Sequence, residues 1–90
     1  SHFYPEKAAH QFDQTMLNMV KMLNPHGVFD AEEQEIGYAC GAGALAATLW
    51  AARKLSANQC DILHYTTSAE VTGDNQSVVG YGAVAIYKNL

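Results

Sequence analysis

A short polar loop between two apolar segments, near the end of the chain, most constrains the fold. Residues 60–66 and 78–87 are apolar runs of strand length, whereas the residues between them carry mainly hydroxyl, carboxylate and amide groups. A polar loop is costly to keep beside a core unless it lines something. The pattern predicts two strands joined by a loop that borders a site.

Hydrophobic periodicity predicts three helices before these strands. Residues 5–23 repeat apolar side chains at spacings of three and four, which predicts an amphipathic helix ending at residues 24–27. Asp30 and Glu33 form a capping-box pattern, which predicts a short helix over residues 30–35. Residues 44–55 are apolar nearly all round, so we expect that helix to be buried on most sides. We assign five residues to the polar side of the first helix: Glu6, Asp13, Gln14, Asn18 and Lys21.

The order of elements indicates an α/β fold. A strand ending near His2 would precede the two long helices, a strand, a loop and a final strand, and such elements pack as layers. Gly80 and Gly82 lie on one face of the last strand. Glycine inside a strand often marks the close approach of another backbone or a ligand.

The composition is unusually apolar for so short a chain. Ninety residues allow one domain, yet 49% are hydrophobic and 16% charged, against an average of ~25% charged. A small free-standing domain normally needs more charge to cover its surface. We therefore expect the chain to belong to a larger domain, or, if it stands alone, to associate with itself.

Charge, hydropathy and cysteine content exclude several classes of function. The net charge is −4 with 5 Lys and Arg residues, so the basic stripe of a nucleic-acid-binding protein is missing. No apolar run reaches the ~18–20 residues that cross a membrane. The chain has 2 cysteines, Cys40 and Cys60, fewer than a disulfide scaffold requires, and this favours a reduced, cytoplasmic setting.

Cys40 is the first candidate for chemistry, because it directly precedes a glycine-rich helix start. The free N–H groups and the dipole at a helix N-terminus stabilise a thiolate, which is a soft metal ligand or a nucleophile. A lone cysteine is also a common small buried hydrophobe. The residues alone leave both interpretations open.

His2 is the second candidate, placed where the first strand is expected to end. Active groups of open α/β sheets gather at strand ends, and a neutral imidazole suits iron, copper or zinc. The alternative is an ordinary surface histidine. His64, Ser68 and Asp74 are candidates for lining the same pocket. Their alternatives are an interior histidine and plain turn chemistry.

Gly41, Gly43 and Ala46 match the spacing of a dinucleotide fingerprint. In that fold an acidic residue about 20 positions later ends the second strand, where it reaches the ribose. Asp61 instead starts its predicted strand, so we reject this interpretation. The glycines are better explained by close backbone approach beside Cys40.

Taken together, six short matches make the chain resemble the C-terminal third of Memo-like proteins, whose bacterial and archaeal form is called AmmeMemoRadiSam system protein B. They lie along most of the sequence: Ser1-His2, Phe12-Asp13, Cys40-Gly41, Tyr65-x-x-Ser68, Val-Thr-Gly-Asp at 71–74, and Val-Val-Gly-Tyr at 78–81. The resemblance implies that residues 1–90 are the C-terminal portion of a single Memo-like domain. It also implies a layered fold related to class III extradiol (LigB-like) dioxygenases.

The resemblance further implies a mononuclear metal site for iron, copper or zinc. Its motif-matched ligands are His2 and Cys40, and the other histidines would come from the remaining N-terminal part of the domain. The expected function is redox or O2-dependent chemistry on a small molecule whose identity is open. The alternative is a non-enzymatic binding or signalling module, because animal members of the family are linked to receptor-kinase signalling.

Overall fold

The computed structural model describes residues 1–89. Three strands and four helices follow one another along the chain. They are β1 (His2–Tyr4), α1 (Glu6–Lys21), α2 (Pro25–Glu33), α3 (Ala42–Lys54), β2 (Gln59–Thr67), α4 (Ala69–Thr72) and β3 (Val78–Tyr87). The chain is a mixed α/β structure, and none of the helices in residues 1–89 is long and apolar enough to span a membrane.

The strands form one antiparallel sheet in the order β1-β3-β2. The two predicted apolar strands are confirmed as β2 and β3, which pair along their length from Gln59↔Tyr87 to Thr67↔Gly80. The predicted strand near His2 is confirmed as β1, although it continues past His2 to Tyr4; His2 pairs with Val79. The polar loop between β2 and β3 also contains the short helix α4.

Helix α1 confirms the predicted amphipathic helix and lies against β2 and β3. Its polar side was assigned wrongly at one position. Asp13 is only 7% exposed, on the same stripe as Ala9, Met16 and Val20. A spacing of three or four residues puts all of these side chains on one face, so Asp13 points inward.

Helix α2 begins five residues earlier than predicted. The side chain of Asn24 accepts a hydrogen bond from the Gly27 N–H at 2.9 Å, and Pro25 occupies the first turn. The segment predicted only to end α1 therefore also starts α2, since Asn is a favoured N-cap and proline suits the first helical position. The predicted capping box at Asp30 is wrong, because Asp30 lies inside the helix.

Helix α3 lies where it was predicted, but it is less buried than predicted. Ala42 and Leu49 are buried in a core that α1, α2 and β2 complete, and Ala46 is buried as well. Within residues 1–89 its other side is exposed, and Trp50 is 46% exposed. The helix is thus covered on one side only, contrary to the prediction.

Candidate functional site

A cavity of about 420 Å³ opens between α1, β3 and the segment that precedes α3. Its walls are mostly apolar or aromatic, with a few polar groups, which is the usual make-up of a small-molecule site. His2 and Cys40 both line it. The polar and aromatic lining residues are Ser1, His2, Asp13, Tyr38, Cys40, Tyr65 and Tyr81.

A buried hydrogen-bond network around Asp13 forms one wall. The Asp13 carboxylate accepts hydrogen bonds from the Ser1 nitrogen at 3.0 Å, from the Ser1 hydroxyl at 2.9 Å and from the Tyr65 hydroxyl. Burial, and then the hydrogen bond to Asp13, raises the pKa of Tyr65 above its ordinary value of 10.0. Tyr65 therefore keeps its proton and remains a donor to Asp13 at neutral pH.

Gly80 makes room for this network. A Cβ atom on Gly80 would overlap Oδ2 of Asp13 and lie 2.8 Å from its Cγ and 2.9 Å from Oγ of Ser1. The Gly80 N–H also donates to the Ser1 carbonyl at 3.1 Å. Gly80 thus confirms the predicted close approach, and the group that approaches it is a carboxylate of the protein itself.

The segment before α3 forms the opposite wall. The Tyr38 ring stacks on Tyr4 at 5.7 Å and meets Phe12 edge-on at 5.0 Å between ring centroids. Since Tyr4 lies two residues after His2 and Tyr38 two residues before Cys40, this aromatic contact brings both candidates to the same cavity. The Cys40 side chain itself is exposed.

The glycines beside Cys40 have a different role from the one predicted. Gly41 is the N-cap of α3 with φ 73°, a left-handed conformation that favours glycine. Within residues 1–89, a Cβ atom on Gly41 or Gly43 would meet no other atom within 4 Å. Close backbone approach is therefore not their reason in this part of the protein.

In residues 1–89 the three predicted pocket residues, His64, Ser68 and Asp74, do not line this cavity. The Ser68 hydroxyl accepts a hydrogen bond from the Val79 N–H at 3.0 Å, which ties the end of β2 to β3. Asp74 is exposed and accepts from the Gln76 N–H at 2.9 Å, as turn residues do. His64 is exposed on β2, next to a register shift between Ile62 and His64.

Besides the Asp13 carboxylate, which already accepts three hydrogen bonds from the protein, the cavity offers two donors of metal-ligand type. Within residues 1–89, no group of three His, Cys, Asp or Glu side chains could hold a metal ion. The imidazole of His2 and the thiol of Cys40 nevertheless line the same cavity, and both are good ligands for iron, copper and zinc. These two residues fit part of a metal site and need further ligands to complete it.

Asp13 and Tyr65 are the site residues that sequence reasoning missed. The signal for Asp13 was its spacing, four residues after Ala9 and three before Met16, which places a carboxylate on the buried stripe of α1. Tyr65 belongs to a motif that carries the family resemblance, but no local pattern assigned it a role, because its partner Asp13 lies 52 positions away in the chain.

Comparisons with known proteins agree on one family. A family profile described as Memo-like protein matches residues 1–85. The chain is 37% identical over 81 residues to a MEMO1 family protein of Methanothermobacter thermautotrophicus, an alignment covering 90% of this chain and 29% of that relative. It is 31% identical over 86 residues to one from Methanosarcina barkeri, covering 96% of this chain and 32% of the relative.

A MEMO1 family protein of Nitrosopumilus maritimus is 33% identical over 84 residues, covering 93% of this chain and 30% of the relative. The chain thus spans less than a third of the length of each of these relatives. The comparison with solved structures found no match.

Proposed function

Because the chain belongs to the Memo-like protein family, we propose that it supplies part of a mononuclear metal site, with His2 and Cys40 as ligands. The observation that carries this proposal is that both side chains line one cavity although they are 38 positions apart in the sequence. The metal is iron, copper or zinc, since an imidazole nitrogen and a thiolate sulfur suit all three.

The remaining ligands are proposed to come from the N-terminal part of the same domain, of which residues 1–90 would form the C-terminal portion. The share of the relatives that the chain covers, 29–32%, supports this division. The three-stranded sheet with helices would then be one part of a larger, LigB-like layered fold. A bound metal in such a site supplies redox chemistry or activates O2.

The cavity walls support a small-molecule substrate with an apolar or aromatic body. Met16, Leu17 and Leu45 offer apolar surface, and Tyr38 and Tyr81 contribute aromatic side chains to the lining. Such apolar surface favours an apolar substrate beside the two donors. We propose redox or O2-dependent chemistry on such a molecule as the activity of the complete site.

Exposed apolar surface supports a partner for this part of the chain. Trp50 on α3 is 46% exposed, Leu63 on β2 is 64% exposed and Tyr81 on β3 is 57% exposed. The rest of the domain would cover such residues, and without it the chain would associate with itself. Both cysteines are free, which supports a reducing, cytoplasmic location.

Metal analysis of the full-length protein tests the site. We expect one bound metal ion per protein, lost in Cys40→Ser and in His2→Gln. The affinity loss should exceed the ~10–100-fold that removal of an outer hydrogen-bond partner costs. Cys60→Ala is the matched control, because Cys60 is a buried core cysteine away from the cavity. Full metal content in Cys40→Ser would refute the ligand assignment.

Oxygen consumption with catechol-like compounds tests the activity separately. Turnover that disappears in Cys40→Ser but not in Cys60→Ala would support an oxidoreductase. A stoichiometric metal without turnover of any such compound would instead favour the non-enzymatic binding module.

A further inference from the structure

Ser1, the residue before His2, is held by three hydrogen bonds to other parts of the fold. Its nitrogen and its hydroxyl both donate to the Asp13 carboxylate, at 3.0 and 2.9 Å, and its carbonyl accepts from the Gly80 N–H at 3.1 Å. Ser1 and Asp13 are both more than nine-tenths buried. The backbone entering His2 is therefore fixed on three sides.

Asp13 is itself fixed by Tyr65. The Tyr65 hydroxyl donates to the same carboxylate oxygen that accepts from the Ser1 hydroxyl. A carboxylate offers about four lone-pair positions, and protein donors already occupy three of those on Asp13. Little acceptor capacity is left for a metal ion or a substrate. The function of Asp13 is therefore to hold Ser1 and Tyr65 in place.

The residue after His2 is unusual as well. Phe3 has φ 63°, which is a strained conformation for a bulky side chain. The pairing of β1 with β3 shifts register between His2 and Tyr4, so that Phe3 is an extra residue without a partner. Such bulges commonly re-aim a side chain beside a functional site. His2 is thus held by an anchored residue before it and a strained bulge after it.

We propose that Asp13 is a positioning residue whose carboxylate, held by Tyr65, fixes Ser1 and thereby orients the His2 imidazole over the cavity toward Cys40. The effect on metal binding rests on the proposed metal site, but the hydrogen bonds and the bulge that hold His2 do not involve a metal ion. The buried carboxylate and the phenol thus have a role without themselves binding the metal.

Co2+ binding to the full-length protein tests this role, read from the thiolate-to-cobalt absorption that Cys40 would produce. Asp13→Asn keeps the size of the side chain but replaces one acceptor oxygen with a donor. We expect it to lower Co2+ affinity by ~10-fold, at the lower end of the effect typical of residues that orient metal ligands. Tyr65→Phe should lower it less, because Asp13 keeps both bonds from Ser1.

Histidine NMR of the metal-free protein supplies a second readout. With the His2 signals assigned by their loss in His2→Gln, Asp13→Asn should shift them. Thr67→Val is the matched control: Thr67 is a polar residue 3% exposed that does not line the cavity. It should change neither the His2 signals nor the Co2+ affinity.

Three results would overturn the inference. The first is a folded Asp13→Asn protein with wild-type His2 signals and wild-type Co2+ affinity. The second is an affinity loss with unchanged His2 signals, which would make Asp13 a metal ligand. The third applies if Asp13→Asn does not fold: a Tyr65→Phe protein with wild-type His2 signals and wild-type Co2+ affinity. A wild-type protein that binds no Co2+ refutes the proposed metal site instead, and the NMR comparison still decides the role of Asp13.

Discussion

The two walls of the cavity are built in opposite ways. The wall that carries His2 is closed: Ser1, Asp13, Tyr65 and Gly80 are joined by hydrogen bonds and leave no room for a Cβ atom at Gly80. The wall that carries Cys40 is open in residues 1–89, with an exposed thiol and empty space around Gly41 and Gly43.

The difference shows which half of the site this part of the chain organises by itself. Buried polar groups are stable only when every one is paired, and in residues 1–89 no buried side-chain nitrogen or oxygen lacks a partner. The His2 wall is thus complete. In residues 1–89 the Cys40 wall is held by the Tyr38 ring and by Ala39, which packs against the core, and its exposed face leaves room for further protein.

Gly80→Ala should break the closed wall and have the largest effect. The added methyl group would overlap the Asp13 carboxylate and displace it from its three donors. We expect a loss of about 2–4 kcal/mol in the free energy of unfolding, from overpacking plus unpaired buried groups, measured by urea titration. Gly82→Ala is the control, because its methyl would meet only the flexible end of Leu17 at 3.3 Å. Equal losses at both glycines would contradict the role given to the network.

Tyr65→Phe should weaken the same wall by about 1–2 kcal/mol at neutral pH, because one hydrogen bond to a buried carboxylate is lost. The raised pKa of Tyr65 also predicts an alkaline effect. The unfolded chain releases this proton near pH 10.0 while the folded chain keeps it, so its contribution to stability is present below that pH and is lost above it.

Urea titrations from pH 8 to 11 test the alkaline effect, and Tyr65→Phe should show a shallower fall in stability than the wild type. A residual fall is expected, because the pKa values of Tyr38 and Tyr87 are also raised. Parallel profiles for the variant and the wild type would show that Tyr65 does not carry this dependence.

Gly43→Ala tests the open wall, and here the substitution should raise the free energy of unfolding instead of lowering it. Gly43 lies in the first turn of α3 and its Cβ would meet no atom within 4 Å in residues 1–89. Alanine should stabilise the helix by roughly 0.5–1 kcal/mol, seen as a higher midpoint in urea. Destabilisation in the full-length protein would reveal that another part of it packs against Gly43.

Phe3→Gly should give the smallest change, a gain below about 1 kcal/mol. Glycine removes the strain of a positive φ, and little packing is lost because the Phe3 side chain is 74% exposed. Glycine also makes the unfolded chain more flexible, which offsets part of the gain. Thermal unfolding of Phe3→Gly and Phe3→Ala separates the relief of backbone strain from the loss of the phenyl ring, because both variants lose the ring and only alanine keeps the strain. A variant with glycine no more stable than the one with alanine would contradict strain at this position.

Local patterns predicted most of the elements. The apolar repeat of α1, the apolar runs of β2 and β3, and the position of α3 were all readable from spacing. The predicted start of α2 is wrong because Asn24 and Pro25 have two functions. They end α1, as predicted, and they also begin α2, which the sequence pattern alone does not distinguish.

The cavity itself could not be predicted in the same way. Cys40 and His2 were identified from helix-start chemistry and from a family resemblance, and whether they bind metal stays a prediction. Ser68 and Asp74 are predicted to line a pocket because of their polarity. Within residues 1–89 their hydrogen bonds serve the β2–β3 connection, and a place in the site of the complete domain stays a prediction.

By itself the sequence determined the periodic elements, the family and the need for glycine in β3, because each of these depends on neighbouring residues or on motifs along the chain. Only the tertiary structure decided that Asp13 meets Tyr65 and Ser1, and that His2 and Cys40 share a cavity. Such contacts join residues 12 to 52 positions apart. Which residues meet depends on how α1 packs on the sheet, and a local sequence pattern contains no information on that packing.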